Sequence, residues 1–151
     1  MRNKTNVDYV KTKYVVDGKK TKCFLTYEID LSKWPILGFK INADVILKAA
    51  MKSNMEYYDV DRETNYPTKI GFIVTASSSC DDIDTFDETK GKNIALTRAQ
   101  AKAFERTCTL YDNIQIELDK SFNEITRAIN NNWDAANKCW KHVHELCEFL
   151  I

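Results

Sequence analysis

Apolar and polar residues alternate along residues 22–31, KCFLTYEIDL, with Cys23, Leu25, Tyr27, Ile29 and Leu31 on one side and Thr26, Glu28 and Asp30 on the other. Period-two alternation predicts a strand with one buried and one mostly wet face. An earlier run, residues 9–16 (YVKTKYVV), is separated from it by Asp17-Gly18, a strong hairpin signal. Trp34 and Pro35 interrupt the pattern. Asn42 then caps a predicted short helix, ADVILKAAMKSNM, with Val45, Ile46, Ala49 and Ala50 facing inward. A polar loop is expected through Asp59, Asp61, Arg62 and Asn65. Pro67 introduces IGFIVTASS, rich in β-branched residues, read as a third strand with Ile70, Phe72 and Val74 on one face.

Beyond residue 90 the period changes. Ile94, Thr97, Ala101, Phe104, Cys108, Tyr111, Gln115, Leu118, Phe122, Ile125 and Ile129 follow one another in steps of three and four, a heptad seam. Asn130, Asn131 and Asn132 are expected to break the helix. A second seam follows through Trp133, Ala136, Trp140, Val143, Cys147 and Leu150, and two such helices should fold back as an αα-hairpin. The expected fold is therefore α+β in a single domain, 1–151. Its small antiparallel β-sheet, made of the N-terminal hairpin plus a later strand, packs with a short helix and a C-terminal pair of long helices. One small sheet does not cover both seams, and Trp133, Trp140, Phe149 and Ile151 leave an apolar patch, so a homo-oligomer built partly through the helices is expected.

Charge narrows the choice of partner. The 151 residues carry 22 Lys and Arg against 22 Asp and Glu, intermixed, so the basic stripe of a nucleic-acid binder is missing and polymeric DNA or RNA is not an expected partner. No apolar run approaches the roughly 20 residues that span a bilayer, and MRNKTNVDYV has no apolar signal region. A soluble intracellular protein without a membrane partner is the expectation. Five cysteines, Cys23, Cys80, Cys108, Cys139 and Cys147, read most simply as buried thiols. Cys139, His142, His144 and Cys147 do not make a zinc site, because on one helix His142 and His144 point about 200° apart.

The segment from Cys80 to Arg106 carries the candidate chemistry. Thr85 and Glu88 have the spacing of a capping box, which would start the helix there. Gly91, Ala95, Arg98, Lys102 and Arg106 fall near one flank, small residues first and cations after. Glycine inside a helix costs about 1 kcal/mol relative to alanine, so a ligand or another helix is expected to approach the backbone at Gly91. A phosphorylated molecule lying from Gly91 towards Lys102 would meet helix-start amides and cationic side chains. The plainer reading is a solvated basic face beside a small-residue contact. Asp81, Asp82, Asp84, Asp87 and Glu88 suit a helix start electrostatically as well as they suit a metal. There is no Walker loop, GxGxxG, GxSxG or HExxH. A non-enzymatic protein that holds a small phosphorylated molecule fits this set best.

Within this segment, Phe86-Asp87-Glu88, Gly91-Lys92, Ile94-Ala95, Arg98-Ala99 and Lys102, preceded by a strand and Cys80-Asp81-Asp82, resemble the central motif of a phage Thoeris anti-defence family, the first described of its kind. The similarity spans Ile70 to Arg106. The resemblance implies a cytoplasmic protein of the infected bacterial host that sequesters glycocyclic ADP-ribose, a cyclic nucleotide signal made by TIR-domain enzymes. The signal would be held uncleaved in pockets at subunit contacts of a homo-oligomer, dimer or higher, with no cofactor or metal. It further implies Arg98, Lys102 and Arg106 with the helix-start amides on the pyrophosphate, Phe72 and Phe86 against adenine, and Asn93 and Thr97 on ribose hydroxyls, beside Gly91. The alternative class is a protein-interaction module that inhibits a host factor through its amphipathic helices.

Overall fold

The computed structural model describes residues 7–31, 41–80 and 85–148, and within them the chain is α+β. Its elements are β1 (Val7–Asp17), β2 (Lys20–Asp30), α1 (Ala43–Lys52), β3 (Tyr57–Val60), β4 (Pro67–Ser79) and α2 (Glu88–Glu148). Two compact units divide it, Met1–Ile114 and Gln115–Ile151. Trp34, Pro35, Asp81, Asp82, Asp84, Phe149, Leu150 and Ile151, on which some expectations rested, lie outside the described residues.

In the first unit, β1 and β2 form the expected hairpin. Asp17 pairs with Lys20 across a two-residue loop, and Gly18 takes φ 59°, a left-handed conformation that only a residue without Cβ adopts cheaply. The sheet is antiparallel in the order β1-β2-β4-β3. Register aligns Leu25 with Val74, Tyr27 with Phe72 and Ile29 with Ile70, so the alternating apolar sets of β2 and β4 share one buried face. Tyr27 and Phe72 stack with ring centroids 5.4 Å apart. Full burial of each such side chain contributes about 1.5–3 kcal/mol. Asn42 caps α1 by accepting from the Asp44 amide at 2.8 Å, and Ile46, Ala49 and Ala50 are buried while Val45 is half-buried.

A fourth strand, β3, stands where a polar loop was expected from about residue 59. Tyr58, Asp59 and Val60 are exposed, so no alternation announces it. Its position is fixed across three strands: Tyr57 pairs with Gly71, Gly71 pairs with Glu28, and the Tyr57 hydroxyl donates to Glu28 Oε1 at 2.6 Å. Gly71 makes this possible, because a Cβ there would collide with the Tyr57 ring.

Helix α2 departs from the sequence expectation in three ways. Its cap is Asp87, whose Oδ1 accepts from the Lys90 amide at 3.1 Å, and Thr85 stands outside the helix. It does not break at Asn130–Asn132: one helix runs from Glu88 to Glu148 in place of the expected pair. Each asparagine costs only about 0.5–0.7 kcal/mol relative to alanine, far below the roughly 3 kcal/mol of a proline, and Asn132 Nδ2 donates back to the Ala128 carbonyl at 2.8 Å. Finally, the buried face is not the heptad seam. Ala95, Ala99, Ala103, Thr107, Leu110 and Ile114 are buried, whereas Ile94, Thr97, Ala101, Phe104, Cys108 and Gln115 are exposed. Small side chains make up the first part of the buried row, which meets the sheet at Gly91 beside Thr21 and Ser78, and the larger apolar row is left exposed. Three cysteines accordingly depart from the buried expectation: Cys108, Cys139 and Cys147 are exposed, Cys80 is half-buried and Cys23 is buried.

Candidate functional site

The approach to Gly91 comes from the sheet. A Cβ there would stand 2.9 Å from Thr21 Oγ1 and 3.4 Å from Ser78 Oγ, and the Ser78 hydroxyl donates to the Gly91 carbonyl at 2.7 Å. The close approach at this glycine is therefore made by β2 and β4. Phe72, fully buried and stacked on Tyr27, belongs to the core and is unavailable to adenine.

The cation row also has a structural role. Arg98 Nη1 donates to the Ser77 carbonyl at 2.8 Å, Lys102 Nζ to Thr75 at 2.8 Å and Arg106 Nη1 to Ile73 at 3.0 Å. These carbonyls lie on the same edge of β4 as that of Gly71, which accepts from the Glu56 amide at the β3 side. Past Gly71 no described strand pairs with that edge. Four residues of helix advance about 6 Å and two residues of strand about 6.7 Å, so a cation at every fourth helical position meets every second carbonyl of an antiparallel strand. The ladder covers an otherwise open sheet edge, the sort of edge that pairs with other chains when left bare.

Around the start of α2 the surface is concave in two adjoining places. One cleft of about 440 Å³ lies among Lys19, Ser78, Ser79, Cys80, Thr85, Phe86 and Gly91. A more open groove of about 590 Å³ lies among Thr89, Asn93, Thr97 and Arg98. Asp87, Lys90 and Ile94 line both. Phe86, Gly91, Asn93, Thr97 and Arg98 are thus brought together, whereas Lys102 and Arg106 line a separate groove of about 530 Å³ with Lys52, Asn54 and Glu105. The Thr97 hydroxyl donates to the Asn93 carbonyl at 2.8 Å, which leaves its oxygen as an acceptor. Arg98 uses Nη1 on Ser77, one of five N–H donors that a guanidinium carries. Lys92, the cation of the Gly91-Lys92 pair, is paired with Glu88 at 2.9 Å and lies 5.6 Å from the Tyr14 ring centroid.

Lys90 and Lys19 were not anticipated as lining residues. Lys90 sits one turn inside α2, legible once Asp87 is known to be the cap. Lys19 arrives by topology: its carbonyl accepts from the Cys80 amide at 3.0 Å, tying the hairpin turn to the end of β4. No family model, curated protein or solved structure matches this chain. Among the described residues no helix is long and apolar enough to cross a membrane.

Proposed function

We propose that this chain is a phage anti-defence protein that binds a cyclic ADP-ribose-type nucleotide, glycocyclic ADP-ribose, and withholds it uncleaved from Thoeris immunity in the infected bacterial cytoplasm. The observation that carries the reading is the gathering of Phe86, Lys90, Asn93, Thr97 and Arg98 around two adjoining concavities at the amino end of α2. Such a set offers an aromatic face for a base, neutral groups for ribose hydroxyls, and two cations, Lys90 and Arg98, for a pyrophosphate. The bidentate fork of Arg98 suits phosphate better than a point charge does. Lys102 and Arg106, which the resemblance also enlists, fall in the neighbouring groove and are assigned to the ladder alone. Like subunits complete the assembly in this reading.

The test compares two rungs of the same ladder. Arg98→Ala and Lys102→Ala each remove one side-chain bond to β4, yet only Arg98 lines the groove at the helix start. Capture of glycocyclic ADP-ribose by purified protein should be lost with Arg98→Ala and kept with Lys102→Ala. Equal loss in both, or a cleaved nucleotide recovered after denaturation, overturns the proposal. A second reading, inhibition of a host protein, is favoured by the exposed Trp133 and Trp140. It predicts that polar substitutions at those two positions abolish anti-defence activity while Arg98→Ala leaves it intact.

A further inference from the structure

Alternation gives the sheet a second face. Thr21, Cys23, Leu25, Tyr27 and Ile29 of β2 are buried, and α2 meets the sheet on their side, at Thr21 and Ser78. Lys20, Lys22, Phe24, Thr26 and Glu28 therefore point the other way, the two lysines exposed and the other three half-buried. Register widens this face into rows across three strands. Lys20 stands between Asp17 and Ser79, Lys22 between Val15 and Ser77, Phe24 between Lys13 and Thr75, and Thr26 between Lys11 and Ile73. The next row, of Asp8, Glu28 and Gly71, begins the other half of the face.

Charges that are intermixed in the sequence separate on these rows. Lys11, Lys13, Lys20 and Lys22 share the half nearest the hairpin turn with one carboxylate, Asp17. Asp8, Glu28, Asp30 and Asp59 share the other half with one cation, Lys69. The basic rows are also edged by Arg98, Lys102 and Arg106, which donate to the carbonyls of Ser77, Thr75 and Ile73. Strand pairing thus assembles the basic stripe that the linear sequence lacks.

We propose that the basic half of this open face is a binding surface for single-stranded RNA. On each of two neighbouring strands the lysines occupy successive same-face positions, about 6.7 Å apart, and so present regularly spaced cations to a chain with one phosphate per nucleotide. Phe24 lies among them as a platform on which a base can stack. The Lys22 ammonium is 5.0 Å from the Phe24 ring centroid, and its flexible stem lets it swing from the ring to a phosphate as the base arrives. Thr26, Thr75 and Ser77 place hydroxyls beside the ring, groups that give or take a bond with the ribose 2′-OH that DNA lacks. Asp8 and Glu28 end the footprint by repelling phosphate. An acidic protein segment would be drawn to the same lysines but has no need of a π-face.

The experiment is fluorescence anisotropy of a labelled 12-nucleotide oligo(U) with the full-length protein and no cyclic nucleotide, so its outcome is separate from that of the capture test. If each of the four lysines neutralises one phosphate, the logarithm of the association constant should fall against the logarithm of salt concentration with a slope of about −2.8, and of about −1.4 in Lys11→Ala/Lys13→Ala. Phe24→Leu, which keeps an apolar side chain without a π-face, should weaken binding about 5- to 150-fold. Oligo(dU) should bind more weakly than oligo(U). The lysine pair, at exposed positions, keeps the test open should Phe24→Leu disturb the sheet. No binding by wild type at 50 mM salt overturns the proposal. So does a salt slope unchanged in the lysine pair, oligo(dU) bound as tightly as oligo(U), or poly-L-glutamate displacing the label as well as unlabelled oligo(U) does.

Discussion

Single residues in the sheet unit do work that their types alone do not announce. Gly71 is a gap through which the Tyr57 ring crosses β4 to reach Glu28. Gly71→Ala should therefore cost about 1–3 kcal/mol in urea unfolding. In a Tyr57→Ala background the same change should be close to neutral, because nothing then occupies the space; similar costs in both backgrounds would disprove the steric account. The Tyr57 phenol is pushed up to about 12, first by burial and then by its bond to Glu28 and that carboxylate's charge. Burial pushes Tyr27 to about 12 as well, against smaller pulls from the Thr107 hydroxyl and Arg106. Since the fold favours the protonated phenols, this stability is fully present below pH 10, the ordinary tyrosine value, and is lost as pH rises towards about 12. Urea midpoints should fall across that window, and less steeply in Tyr57→Phe; a flat profile would contradict it.

Elements show how much of the fold was legible before the structure. The hairpin, α1 and β4 follow from alternation, Asp17-Gly18, Asn42 and β-branched runs, signals confined to a few adjacent residues. β3 left no such mark, because its place depends on Tyr57 meeting a glycine fourteen positions ahead. The face of α2 was misassigned for a related reason. Heptad counting rewards large apolar residues, yet the sheet takes the row of Gly91, Ala95, Ala99 and Ala103, whose small side chains permit close approach. Arg98, Lys102 and Arg106 were legible as a row, and only the free edge of β4 gives the row its structural purpose. Replacing all three by alanine should leave the helix on its alanine face but expose Ile73–Ser77 to pairing between molecules. Light scattering should then report association that wild type lacks at the same concentration, and a triple variant as dispersed as wild type would remove edge protection as the ladder's role. Replacing Asn130, Asn131 and Asn132 by alanine should raise thermal stability, by about 0.5 kcal/mol per position, without changing helix content by circular dichroism. A gain in helix content would mean that a break exists in solution.

At the scale of the whole molecule, the two units present different surfaces. The sheet with the first part of α2 presents the concave surface around Phe86, Lys90, Asn93 and Arg98, and the Gln115–Ile151 unit presents exposed apolar side chains, Trp133 and Trp140 among them. Much of the motif that suggests a nucleotide sponge also has a structural place: Gly91 lies close against Thr21 and Ser78, Ala95 and Ala99 are buried, and Lys102 bonds to Thr75. Arg98 is the residue at which the two accounts meet, because it is both a rung of the ladder and a wall of the groove. The decisive measurement is native mass spectrometry of the full-length protein incubated with glycocyclic ADP-ribose, followed by denaturation. Stoichiometric adducts that release the nucleotide at unchanged mass, and that vanish in Arg98→Ala but not in Lys102→Ala, are the predicted result. No adduct on wild type would contradict capture, and a nucleotide released in pieces would contradict sequestration.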